Sequence, residues 1–289
     1  MPLTFVVLAG FYPAARRAIQ YADALAQTLR GQLVLLHVNR ASLYDPYALL
    51  DENLREEELS RQSDTAAALY RQAGELATPA TVEVATDLLP EVAQDLATRY
   101  GPAVFVLGHA GAATLVAACA ELLRAGQYPM LVVPVTAAAV GVPQRLLIAA
   151  DQEPFALAAT ARPLLQLVST LGTSITVAHV SKDVEDDAGC AAALRAVQLS
   201  GLVAGLPTPG LRGYEAGSYA EGLIMAVQDT AAELVLVLAR QRSYVGDLFH
   251  RSVTAQLMAD CPVPLLVLPT TEAPSHSAVG PLQVARAGH

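Results

Sequence analysis

The chain reads as an α/β protein made of two doubly wound parallel sheets in tandem. Three observations carry this. Short runs rich in Val, Ile and Leu are apolar at every position rather than at every second one, the mark of strands covered on both faces. Ala-rich helical segments alternate with them, as right-handed βαβ units require. The same succession of runs then occurs twice within 289 residues, a length that suggests two domains.

The first copy has strands at Leu3–Leu8, Leu33–Val38, Val104–Gly108 and Pro129–Pro134. The second has them at Leu146–Ala150, Ile175–Val180, Leu234–Leu238 and Pro264–Pro269. The second strand of each copy ends in His-Val, as His37-Val38 and His179-Val180. A helix is expected over Ala14–Thr28, with Gly31 as its C-cap, and its counterpart over Phe155–Leu171 before Gly172. Helices Leu89–Tyr100 and Tyr219–Ala232 precede the third named strand of each copy. The middles are less regular. In Asp45–Leu76 the charged stretch Glu52–Glu58 is the solvated face of a long helix, and Asp183–Gly210 is its shorter equivalent. Val135–Val142 reads as a linker, which sets the domains at 1–137 and 143–270. Residues 271–289, rich in Pro, Ser, Ala and Gly, are expected to be a disordered tail.

Composition narrows the function. A formal net charge of −9 repels phosphate backbones, so nucleic acid is not expected as a partner. No apolar stretch is long enough to cross a bilayer, so no membrane association is expected. The N-terminal Met-Pro-Leu-Thr-Phe-Val-Val-Leu lacks a basic leader and reads as a first buried strand, not a signal peptide; the expected location is cytoplasmic. Cys119, Cys190 and Cys261 are odd in number and far apart, which fits buried thiols in a reducing compartment better than a disulfide framework or a zinc cluster. There is no Gly-x-Ser-x-Gly elbow, Walker loop or Cys-x-x-Cys pair.

The ordered blocks resemble the universal stress protein family in both halves. They include Leu146-Leu-Ile-Ala-Ala-Asp151, the two His-Val strand ends and the closing Cys261-Pro-Val-Pro-Leu-Leu-Val-Leu-Pro269. The resemblance implies a Rossmann-like, five-stranded parallel sheet in each half. It also implies that the halves pair as a pseudo-dimer through their last strands, removing an exposed edge from each sheet. It further implies an ATP site at the C-terminal strand ends. There the family carries an Asp after the first strand and a loop of Gly, two residues, Gly, nine residues, then Gly-Ser or Gly-Thr. Glycines let backbone approach the phosphates, and the hydroxyl residue opens a helix whose N-terminus attracts anions.

Matched to that pattern, the first half keeps Gly108 and Gly111 but has Gly10 at the Asp position. Its loop is short, with the next helix expected from about Val116. In the second half Asp151 matches the Asp, Val180 the residue whose backbone contacts the base, and Ser252 and Val253 the opening of the last helix. Ala239, Arg242 and Arg251 stand where the three glycines would be. Their replacement argues against ATP as a cofactor held through the usual loop. Arg240, Arg242, His250 and Arg251 instead gather positive charge near a helix N-terminus, suited to a small anion or an anionic group of a protein partner. The alternatives are that these arginines pair with acids of the same fold, such as Asp247, and that Ser252 is a plain N-cap. Tyr244, Leu248 and Phe249 can also plug the site. His37 and His179 read as structural, and His109 lies where ligands often bind but without an acid partner.

The expectation is therefore a non-enzymatic regulatory binding protein whose partners are proteins or a small anionic ligand, with self-association into a homodimer left open. The alternatives are an ATP-binding protein that uses Asp151 and Ser252, with weak hydrolysis not excluded, and a purely structural scaffold.

Overall fold

The computed structural model describes residues 2–39, 52–109, 112–137, 141–171, 174–182, 186–241 and 253–273. Of the first-half residues, 52–62 and 112–113 are described by their backbone alone. Among the described residues, eleven strands form one sheet. The first half contributes β1 (Thr4–Leu8), β2 (Gln32–Val38), β3 (Ala80–Ala85), β4 (Ala103–His109) and β5 (Met130–Pro134). The second contributes β6 (Arg145–Ala149), β7 (Phe155–Leu157), β8 (Ser174–Ser181), β9 (Gly210–Glu215), β10 (Leu234–Arg240) and β11 (Leu265–Glu272). The spatial order is β3-β2-β1-β4-β5-β11-β10-β6-β8-β9. Each half is thus a five-stranded parallel sheet wound outward in both directions from its first strand, with β7 off this path and antiparallel to β11.

The halves meet as the resemblance implies. β11 runs antiparallel to β5, with Leu265 opposite Val132 and Val267 opposite Met130. Neither last strand is left as an edge.

The described helices are α1 (Pro13–Leu29), α2 (Glu52–Gly74), α3 (Leu89–Tyr100), α4 (Ala112–Gly126), α5 (Leu164–Leu171), α6 (Asp187–Leu199), α7 (Tyr219–Asp229) and α8 (Val253–Asp260). Strand side chains alternate between two cores. Val6, Phe105, Met130 and Val267 meet α3, α4, α7 and α8 on one face. Phe5, Val106, Leu131 and Leu266 meet α1, α5 and α6 on the other. Both cores run through both halves. Strands buried on both faces need apolar residues throughout, hence the continuous runs in the sequence. None of the described helices is long and apolar enough to cross a membrane.

Several expectations are corrected. Phe155–Leu171 is not one helix: β7 occupies 155–157, turns follow, and α5 starts only at Leu164. Pro163 lacks an N–H and cannot sit inside a helix without breaking it, but it is tolerated at a helix start. The freed segment pairs antiparallel with the end of β11, Phe155 opposite Glu272 and Leu157 opposite Thr270. The last strand accordingly continues through Glu272, past the end expected at Pro269 and into the stretch expected as tail; residues 274–289 lie outside the described residues. The left-handed residue that ends α1 is Arg30, at φ 51°, rather than Gly31. Gly31 is needed because a Cβ there would lie 2.6 Å from the Leu3 carbonyl oxygen. α4 starts at Ala112 rather than near Val116, so it follows Gly111 directly.

Strand register corrects one further assignment. Gly108 stands opposite Val133, one residue before Pro134. In the second half the residue one before Pro269 is Leu268, and it stands opposite Leu238. Leu238, not Ala239, is therefore the counterpart of Gly108. A Cβ at Gly108 would lie 2.3 Å from the Ala14 carbonyl oxygen, so glycine is what lets α1 start at Pro13 over the end of β4. With Leu238 in that place, a helix following β6 has no such space, in keeping with the late start of α5.

Candidate functional site

At the C-terminal ends of β6, β8 and β10 lies a cleft of about 760 Å³. It sits where the winding direction of the half-sheet reverses, the usual ligand position in open α/β sheets. One wall is polar, with Asp151, Glu153, His179, Lys182 and Asp186; the other is apolar, with Val180, Leu223, Val237 and Val253.

Asp151 follows β6 and faces Arg240 at the end of β10. The Arg240 Nε donates to Asp151 Oδ2 at 2.9 Å, and its Nη2 donates to Asp151 Oδ1. Nη2 also donates to the Glu153 carbonyl at 2.7 Å, and the guanidinium lies 6.0 Å from the centre of the Phe155 ring. A guanidinium fork matches a carboxylate geometrically, and here the fork is used inside the fold.

His179 is buried on β8. Its Nδ1 lies 3.2 Å from the Ala150 carbonyl and its Nε2 lies 3.2 Å from Asp186 Oδ2. Both contacts are hydrogen bonds only when both ring nitrogens carry protons. Gln152 Nε2 lies 3.4 Å from the same His179 nitrogen and donates to Asp186 Oδ2 at 3.1 Å. Asp186 also caps α6, accepting the Gly189 N–H at 2.8 Å. That backbone hydrogen bond, with help from His179, holds its carboxyl below the usual range.

Among the sequence-expected residues, Asp151, Val180 and Val253 come together around this cleft. Arg240 is beside it but bound to Asp151. Ala239 is fully buried in the core and does not line the cleft. Arg242, Arg251 and Ser252 lie outside the described residues, as do Gly111, Asp247, His250 and the aromatic plug of Tyr244 and Phe249 with Leu248. Sequence reasoning missed Gln152, Asp186, Tyr219 and Leu223. Asp186 had a signal, an Asp immediately before the Ala-rich stretch of α6, which is an N-cap pattern.

The first half has a smaller cleft of about 400 Å³ at the equivalent strand ends. His37 repeats one His179 contact, with Nδ1 3.3 Å from the Ala9 carbonyl; the structural reading of both histidines holds to that extent. Gly10 stands in the place of Asp151 and Phe11 in that of Gln152. His109 ends β4 with its Nε2 buried and without a hydrogen-bond partner. Among the described residues, no group of three His, Cys, Asp or Glu side chains is placed to hold a metal.

Residues 3–134 match the sequence profile of the Universal stress protein family. The first half of the chain belongs to the universal stress protein family. No curated protein sequence matches the chain significantly. Among solved structures, a universal stress protein from Archaeoglobus fulgidus DSM 4304 superposes with a TM-score of 0.59 at 16% identity, over 91% of this chain and 97% of that one. A functionally unknown protein from Pseudomonas aeruginosa PAO1 superposes with a TM-score of 0.53 at 16% identity, over 93% of this chain and 92% of that one. At these identities the likeness is one of fold, and it spans both halves. Within the universal stress protein frame, the second-half cleft occupies the place where the resemblance implies ATP.

Proposed function

We propose that the chain is a non-catalytic, ligand-sensing regulatory protein of the universal stress protein type, acting in the cytoplasm. Its ligand occupies the second-half cleft, without the usual Gly-rich phosphate loop. The observation that carries this reading is the Arg240–Asp151 pair. The carboxylate expected to meet a nucleoside is already engaged by a two-pronged guanidinium. The rest of the described wall adds two carboxylates, Glu153 and Asp186, against one lysine, Lys182. A triphosphate entering here meets these carboxylates at the ends of β6 and β8, which repel it. The second-half domain, the partner protein that reads the bound state and the absence of turnover belong to the same reading.

A second reading, an ATP-binding protein, is favoured by one observation: Asp151, Val180 and Val253 line a single cleft of sufficient size. The two readings separate on the contents of the purified protein. Chain isolated without added nucleotide and denatured is expected to release no stoichiometric adenine nucleotide, and to liberate no phosphate from ATP above buffer. Stoichiometric ATP or ADP in the extract would put the second reading first.

A further inference from the structure

The first-half cleft differs from its partner in kind, not only in size. Among its described lining residues there is no Asp, Glu, Lys or Arg. Leu8, Leu36, Leu89, Leu107 and Leu115 form its walls, and Phe11 and Tyr12 stand at its rim with 44% and 43% of their surface exposed. Gly10 makes room for this rim, since a Cβ there would lie 2.7 Å from a Tyr12 ring carbon. The Phe11 ring stands 6.5 Å from the His37 ring, tilted by 41°.

The polar groups are few and specific. In the His37 tautomer whose Nδ1 donates to the Ala9 carbonyl, Nε2 is an acceptor. No described residue fills that role for Nε2. In the second half the matching nitrogen has partners in reach, Asp186 when it carries a proton or Gln152 when it does not. Thr114 also lines the cleft, at an exposed position. A concave apolar site with one or two convergent polar groups, outside the carboxyl ends of parallel strands, is the usual form of a small-molecule pocket.

We propose that the first-half cleft binds a small, uncharged, mostly apolar and planar molecule carrying one hydrogen-bond donor, which His37 Nε2 accepts. The cleft volume is near the lower end for ligand pockets, about 300–1,000 Å³, which sets the size. The uncharged walls formed by the described residues disfavour an ion, because a buried charge without a partner is costly. Exposed aromatic faces at the rim favour a flat ring system.

The test is a fluorescence titration of the full chain with N-phenyl-1-naphthylamine, an uncharged planar probe with one N–H. Saturable enhancement at one site per chain is expected. Thr114→Trp, at an exposed position on the rim, should abolish it by filling the cleft, and Ala118→Phe should do the same from the wall. Leu199→Ser, which removes a remote hydrophobe that is 74% exposed, should leave it unchanged. His37→Phe should weaken the probe by about tenfold or less, the worth of one neutral hydrogen bond. It should also remove the preference for 1-naphthol over 1-methoxynaphthalene in displacement. Two results would overturn the proposal: no saturable enhancement in the wild type, or full enhancement retained in folded Thr114→Trp and Ala118→Phe. Either leaves the nucleotide question in the second half untouched, since none of these residues lines that cleft.

Discussion

Arg240 and Asp151, separated by 89 residues in the chain, form a two-pronged ion pair that ties the end of β10 to the loop after β6. The Arg240 side chain is only 14% exposed, against 50% for Asp151. The pair is therefore partly shielded from solvent but not desolvated. Arg240→Ala removes the pair and the donations to the Glu153 and Pro154 carbonyls. The expected cost is about 1–2 kcal/mol, discounted for the exposure of the carboxylate. Thermal unfolding should fall by several degrees, and an unchanged midpoint would show that the pair contributes little to holding the cleft.

The Gly108 and Leu238 counterparts make opposite predictions. Gly108→Ala drives a Cβ against the backbone of α1 at Ala14, and backbone cannot move aside as a side-chain tip can. A loss of about 2–3 kcal/mol is expected in urea unfolding, the range of overpacking strain. Leu238→Ala should cost about 1–2 kcal/mol through lost apolar contact alone. Equal small effects at both sites would contradict the account of why α1 starts early and α5 late.

Asp186 should leave a mark on acid stability. Its folded carboxyl titrates below the ordinary value of 3.8, chiefly because the Gly189 N–H donates to the charged form, with His179 adding to the effect. A depressed folded pKa means that the contribution is complete above the unfolded value. It is lost as pH falls from there through the folded one. Asp186→Asn should flatten that part of the acid limb in a pH series of urea midpoints. An unchanged limb would show that the cap and the His179 contact are not linked to folding.

Much of the fold was legible because double burial writes itself into sequence. Eight of the strands are mainly apolar runs, and their repetition in order gave the tandem arrangement. β3 and β9 were harder to read, since they lie at the sheet edges and carry exposed residues such as Thr81 and Arg212. β7 was hidden by an Ala-rich stretch of good helix propensity, in which Pro163 was the overlooked signal. At the site, motif position found Asp151, Val180 and Val253. Spacing alone could not show that Arg240 turns back to Asp151 instead of outward to an anion, because that pairing depends on the neighbouring of β10 and β6. The His179–Asp186–Gln152 cluster joins three segments and had no sequence motif at all.

The central claim is that the second-half cleft does not take nucleotide through the usual loop. Calorimetric titration of nucleotide-stripped chain with ATP and magnesium tests it most directly, alongside the Arg242→Ala, Ser252→Ala double variant. The account predicts no saturable heat in either protein at millimolar ATP. Micromolar binding at one site in the wild type, abolished in the double variant, would contradict it and make the altered loop a working phosphate site.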